Sequence, residues 1–316
     1  MRSNKLIGLD LRADSPREAL DAIIETENLG IPAVWVTSGG GSSDALSLFA
    51  AAASNTDEIL LGTSIARTWS RHPISMAEQA FTVSSFAPGR LRLGIGSGHK
   101  VSMESTYGVD FHYPLGHVRE YVAIIKELLT KGETSYSGRY YSANTSMGGT
   151  APGIPVMISA LRPGAYRTAG EIADGAISWV CPHFYAITTA LDSLNEGART
   201  SGRDTPPLIL QAAVCITNNL GSARAAVRDQ LGIYPSIDFY SRMFEQSGFE
   251  ITQRTGWTNE MIDSILITGT EEEAASQLDK LFASGVSEIL ASVVGDADRA
   301  DSSERTRRFI ADYCSQ

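Results

Sequence analysis

Eight short apolar runs alternate with helix-patterned stretches along this chain, and that alternation constrains its fold more than any other feature. The runs lie at about residues 5–11, 33–37, 59–68, 90–100, 154–160, 175–180, 207–217 and 288–292. They are apolar and rich in branched side chains, as strands buried on both faces are. Between nearly all of them, apolar residues recur at helical spacing. Helix starts are marked by Asp14 or Ser15 before Pro16, by Asp44, by Pro73, by Ser222, and by Thr270 with Glu273 three residues on. Gly30 and the pair Pro88-Gly89 mark stops. A helix after each strand returns the chain to the same sheet edge, so the strands run parallel. Eight such units close into a (β/α)8 TIM barrel. An open, doubly wound sheet is the competing arrangement. It is disfavoured because its dinucleotide fingerprint needs Gly-x-Gly-x-x-Gly opening a helix. Counted from Gly94, the third glycine's place is His99, and an irregular stretch is expected after it.

One barrel domain over residues 1–316 is therefore expected, with insertions at about 100–115, 133–153 and 234–267, where the rhythm breaks. Within the second, residues 134–141 read as a small hairpin around Ser137-Gly138 and residues 142–152 as a polar loop. Residues 38–43, with three glycines, read as a flexible loop.

The composition excludes several function classes. A formal charge of −10 argues against nucleic acid or an anionic membrane as partner. Cys181, Cys215 and Cys314 lack metal-type spacing and read as reduced thiols. No His/Cys/Asp/Glu cluster at ligand spacing supports a metal, and no Gly-x-Ser-x-Gly elbow supports a hydrolase. The N-terminal residues pass straight into a strand without a signal-like segment, and no apolar run approaches the ~20 residues that span a bilayer. A cytoplasmic protein acting on a small molecule is the expectation.

In such a barrel, chemistry sits at the carboxyl ends of the strands. The fourth run ends with glycines at alternate positions, Gly94, Gly96 and Gly98. Alternate glycines strip one strand face of side chains, leaving room for a flat ligand or for close-packed backbone. We read Gly96, Ser97 and Gly98 as ligand-facing. His99 follows directly and is the better candidate for proton handling, since imidazole titrates near neutrality. His72, between Arg71 and Pro73, either orients a ligand or serves as a helix-entry residue. His112, His117 and His183 read as structural or exposed. Ala160-Leu161-Arg162-Pro163 puts a guanidinium at a helix N-terminus, a ready phosphate site. Trp69, Tyr107, Phe111, Trp179 and Tyr240 are the aromatic candidates near the mouth.

Several of these motifs occur together in one family. Gly62-Thr63-Ser64, then Arg71-His72-Pro73, then Gly89-Arg90-Leu91-Arg92-Leu93-Gly94-Ile95-Gly96-Ser97-Gly98-His99 resemble the luciferase-like monooxygenase superfamily. The resemblance is strongest to its branch that uses the deazaflavin coenzyme F420. It continues at Ala160-Leu161-Arg162-Pro163 and at Ala169-Gly170-Glu171-Ile172-Ala173-Asp174-Gly175-Ala176. It implies a bulge with a non-proline cis peptide at Ser64-Ile65 backing the cofactor ring. It also implies the ring or ribityl chain beside Gly96, Ser97 and Gly98, and the cofactor phosphate at Ala160, Leu161, Arg162 and Pro163. The implied activity is an F420-dependent oxidoreductase exchanging hydride with a small organic substrate. The alternatives are an FMN-dependent two-component monooxygenase and a non-catalytic flavin-binding barrel. A homodimer is the expected assembly. Some dehydrogenases of this branch carry an Asp-His pair at the end of the second strand, where this chain has Thr37-Ser38. That difference favours reduction of C=C or C=N bonds over alcohol oxidation.

Overall fold

The computed structural model describes residues 5–38, 43–250, 256–296 and 299–316. Eight strands form the barrel: β1 (Leu6–Leu11), β2 (Ala33–Val36), β3 (Leu60–Thr63), β4 (Leu91–Gly96), β5 (Val156–Ser159), β6 (Ala176–Ser178), β7 (Leu208–Ile216) and β8 (Glu288–Val293). Each pairs in parallel with the next, and β8 pairs with β1, so the sheet closes as the alternation requires. Ser15, Asp44 and Thr270 cap their helices, the last with Glu273 as a reciprocal capping box. Ser222 does not. Its own N–H donates to Asn219 Oδ1 at 3.0 Å, so the cap of helix Leu220–Gln230 lies three residues earlier. Most of the expected 38–43 loop lies outside the described residues.

The insertions are more ordered than expected. After His99 comes a helix, Lys100–Tyr107, in place of an irregular stretch. Met103 is its one buried residue, too little for a periodic signal, and Gly108 ends it at φ 64°. Glu133–Ser137 pairs antiparallel with Ser142–Ser146, so the hairpin reaches into the segment read as a polar loop. The Glu120 carboxylate holds its turn, accepting from the N–H groups of Arg139, Tyr140 and Tyr141 at 2.8–3.0 Å. Leu266–Gly269 is a strand that the sequence reading missed, its first two residues falling at the end of the 234–267 insertion. It pairs with Ala213–Ile216 on β7, along the edge that β6 leaves free after Leu210. An open strand edge there would leave backbone donors and acceptors unpaired.

Trp35, Met157, Ile177, Ile209 and Leu290 fill the barrel interior. Trp35 enters from β2 because both neighbouring strands lack a side chain opposite it. A Cβ on Gly62 would stand 2.3 Å from Trp35 Cε3, and one on Gly8 2.8 Å from Cδ1. Gly62 interrupts the apolar run of β3 in order to seat this indole. Beside it, at the amino ends of β4 and β8, Arg92 pairs with Glu288, and Trp35 Nε1 donates to the same carboxylate at 2.7 Å. The Arg92 guanidinium lies 4.2 Å from the Trp35 ring centroid.

On the outer wall, His117 is buried between Thr68, Tyr141 and the Trp69 ring, which stacks on it at 3.7 Å. Burial pushes its pKa down to about 4, opposed by the Glu120 carboxylate. The unfolded chain protonates this imidazole near 6.5 while the fold resists it. Stability is therefore present above about pH 6.5 and declines as pH falls toward 4. Between pH 7 and pH 4, wild type should lose about 3 kcal/mol more than His117→Gln, read from urea unfolding at both pH values. Equal losses would show that His117 is not held neutral.

Candidate active site

Beyond Thr63 the chain leaves β3 through a bulge whose Ser64–Ile65 peptide is cis, as the resemblance implies. Four contacts tie it to β2 and β4. Ser64 N donates to Val36 O (2.9 Å), Ser38 N to Ile65 O (3.2 Å), Thr37 Oγ1 to Ser64 O (2.8 Å), and Thr63 Oγ1 to Gly94 O (2.6 Å). The short strand Ala66–Arg67 then pairs with the end of β4. Ser64 Oγ is buried without a hydrogen-bond partner, and Ser64 and Ile65 line the main cavity.

The three alternate glycines divide. A Cβ on Gly94 would meet Thr63 O at 2.0 Å and Ile177 Cδ1 at 2.5 Å; one on Gly96 would meet Ser159 Oγ at 2.2 Å and Ile65 Cδ1 at 2.6 Å. Side chains from β5 and the bulge occupy the space at Gly96, so its ligand-facing reading is corrected to close packing. Gly98 differs: at φ 68° its nearest prospective neighbours are Met103 Sδ at 3.4 Å and Arg67 Cδ at 3.6 Å. Ser97 and Gly98 line the cavity and Gly96 does not.

Ala160, Leu161, Arg162 and Pro163 line it from the loop after β5. Arg162 caps helix Pro163–Ile172 by backbone alone, and its guanidinium lies 5.4 Å from the Phe239 ring centroid. Fewer first-turn amides are open than the sequence suggests. Pro163 has none, and the N–H groups of Ala165 and Tyr166 both reach Arg162 O, leaving Gly164. Among the described residues neither Arg162 nor the cavity-lining Arg67 forms an ion pair. Two unneutralised guanidinium groups in one cavity of a chain with charge −10 favour an anionic ligand.

His99 lines the cavity with its ring 5.8 Å from that of Tyr240. Burial lowers its pKa, and the Arg67 cation adds to the effect, so the imidazole is neutral at physiological pH. His72 is not brought to the cavity. Its Nδ1 accepts from Ile74 N at 3.2 Å, capping helix Pro73–Phe86, and the Arg71 side chain bonds Asp44 at 2.5 Å. The ligand-orienting reading of His72 gives way to helix entry, because a ring bonded back to its own first turn cannot face the barrel axis.

The cavity has a volume of about 1310 Å³. Of the aromatic candidates, Trp179 and Tyr240 line it; Trp69 packs on Phe111 and His117 away from it, and Tyr107 is exposed. Sequence reasoning missed Arg12, Tyr234 and Phe239, which also line it. Arg12 directly follows the last residue of β1, so the strand-end rule could have found it. Tyr234 and Phe239 sit in a segment with no strand to anchor the reading. Among the described residues, no group of three or more His, Cys, Asp or Glu is placed to hold a metal, and no helix is long and apolar enough to cross a membrane.

Comparison with known proteins bears on this geometry. The family model described as luciferase-like monooxygenase matches residues 4–288. The chain is 26% identical over 288 residues to a 5,10-methylenetetrahydromethanopterin reductase of Archaeoglobus fulgidus, covering 84% of this chain and 86% of that one. It is 33% identical over 226 residues to an F420-dependent glucose-6-phosphate dehydrogenase of Beutenbergia cavernae, covering 67% of each. Among solved structures, an F420-dependent secondary alcohol dehydrogenase in complex with an F420-acetone adduct superposes with TM-score 0.81 at 18% identity, over 98% of this chain and 97% of that one. The oxygenating constituent of a diketocamphane monooxygenase from Pseudomonas putida, in complex with FMN, gives 0.76 at 17% identity over 98% of each.

Proposed function

The chain belongs to the luciferase-like monooxygenase family, and from that premise we propose that it is an F420-dependent oxidoreductase that exchanges a hydride with a small organic molecule, as a reductase of C=C or C=N bonds. One observation carries the cofactor: the Ser64–Ile65 bulge lines the same cavity as Arg67 and Arg162, two guanidinium groups that form no ion pair among the described residues. A flat ring against the bulge with an anionic tail on the guanidinium groups would occupy both ends at once. The relatives named as F420-dependent support the deazaflavin over FMN. When bound, the reduced deazaflavin supplies a hydride from its ring.

The chain's own residues do the rest. The Ser64–Ile65 bulge backs the ring, and Arg162 with the Gly164 N–H takes the phosphate. Tyr234, Phe239 and Tyr240 screen the cavity from water. His99, neutral and without a side-chain hydrogen bond among the described residues, takes a proton from solvent at one ring nitrogen and gives the one on the other to the second atom of the reduced bond. Reduction is favoured over alcohol oxidation because the end of β2 holds no free base. Thr37 Oγ1 is bonded to Ser64 O, and Ser38 Oγ bonds Asp44 at 3.1 Å while accepting from Ala45 N at 3.2 Å.

Titration of the purified protein with F420 and with FMN, followed by calorimetry, tests the reading. F420 should bind well ahead of FMN, and Arg162→Gln should weaken F420 about 10–100-fold, the worth of one charge-assisted hydrogen bond. FMN binding without F420 affinity would move the assignment to a two-component monooxygenase. Binding of neither would leave a non-catalytic barrel.

A further inference from the structure

Ring contacts run along the cavity wall in sequence. His99 lies 5.8 Å from Tyr240, Tyr240 4.8 Å from Tyr234, Tyr234 6.4 Å from Trp179, and the Trp179 ring 5.8 Å from the Arg12 guanidinium. The wall thus begins at an imidazole after β4 and ends at a cation after β1. A polar chain fixes that cation. Arg12 Nε donates to Asp10 Oδ2 at 3.0 Å, Ser292 Oγ donates to the same oxygen at 3.1 Å, and Gln211 Nε2 donates to Ser292 Oγ at 3.0 Å. Gln211 Oε1 in turn accepts from Val180 N at 2.8 Å. Asp10 therefore grips Arg12 by Nε alone, and the two terminal nitrogens form no hydrogen bond among the described residues. A guanidinium presented in this way offers a planar fork that fits a carboxylate.

Arg12 follows β1 and Arg162 follows β5. In a closed ring of eight strands those positions face each other across the mouth. One phosphate cannot occupy both, so a cofactor anchored at Arg162 leaves Arg12 to the second ligand. Asp10 is ion-paired with Arg12. The Asp10 carboxylate already beside Arg12 disfavours a doubly charged phosphate and admits a single carboxylate.

We propose that Arg12 and the Trp179–Tyr234–Tyr240 wall form the substrate site, and that the substrate is a flat, conjugated or aromatic carboxylate. Its carboxylate sits on the Arg12 fork and its conjugated system lies along the rings toward His99. The assignment of this end to substrate rests on the cofactor reading above; the anion selectivity of Arg12 does not.

The probes are trans-cinnamate, cinnamamide and phenyl phosphate, titrated calorimetrically into the protein with and without F420. Cinnamate should bind about 10-fold or more tighter than either other probe, and Arg12→Gln should erase that preference while leaving F420 affinity unchanged. Equal binding of cinnamate and cinnamamide, a preference for phenyl phosphate, no cinnamate binding at millimolar concentration, or a cinnamate preference that survives Arg12→Gln would each overturn the proposal. Failure of F420 to bind while the Arg12-dependent preference persists would overturn the cofactor reading, and with it the naming of this ligand as substrate, but not the carboxylate site.

Discussion

Gly94→Ala should cost about 3 kcal/mol of unfolding free energy, near the top of the range for overpacking, and should abolish cofactor binding with it. The added methyl would stand 2.0 Å from the Thr63 carbonyl oxygen. That atom is backbone and cannot rotate aside as a side-chain tip would. Thr63 is also fixed from both directions, by its pairing in β3 with Val36 and by its hydroxyl on Gly94 O. Relief therefore requires β3 and β4 to part where the chain turns into the Ser64–Ile65 bulge. At Gly96 the obstacles are side-chain ends, Ser159 Oγ and Ile65 Cδ1, so Gly96→Ala should cost less. Gly153→Ala is the control, since nothing lies within 4 Å of its prospective methyl. Urea unfolding of the three variants beside F420 titration checks the order; a Gly94→Ala protein as stable as Gly153→Ala would refute the packing described for the bulge.

Glu288→Ala should be the most destabilising single change in the barrel interior, by about 3–5 kcal/mol. Arg92 and Glu288 are 7% and 4% exposed, so the guanidinium left behind cannot turn to water. The substitution also strips the acceptor from Trp35 Nε1. Removing both charges is a different matter, because an apolar pair of similar volume has no charge to desolvate. The double variant Arg92→Met/Glu288→Leu should therefore recover much of the loss. Thermal or urea unfolding of the single and double variants separates a buried charge left unpaired from a simple cavity. If the double variant falls as far as the sum of the singles, the loss is one of packing.

How far the site could be read from sequence differs residue by residue. His99 and Arg162 were legible as cavity-lining residues because each lies at the end of an apolar run, and strand ends in a barrel are where ligands bind. The bulge at Ser64–Ile65 was legible only through family resemblance; nothing in its local composition marks it. His72 misled because an imidazole beside an arginine suggests chemistry, while its bond to Ile74 N is a matter of local backbone geometry. Gly96 misled for another reason. The missing side chain was visible, but the atoms that fill its place come from β5 and the bulge.

The sequence by itself determined the eight strand-helix units, most of their caps and the end of the barrel at which a ligand would sit. These follow from periodicity and capping, which are interactions among residues a few places apart. Only the tertiary structure decided that Trp35 lies between Gly8 and Gly62, and that Gly94 and Gly96 admit the protein's own backbone and side chains. It also decided that Leu266–Gly269 completes β7, and that Arg12 and Arg162 face each other across one cavity. Each of those depends on which atoms from distant strands arrive at the same point, and residue spacing along a chain carries no record of that.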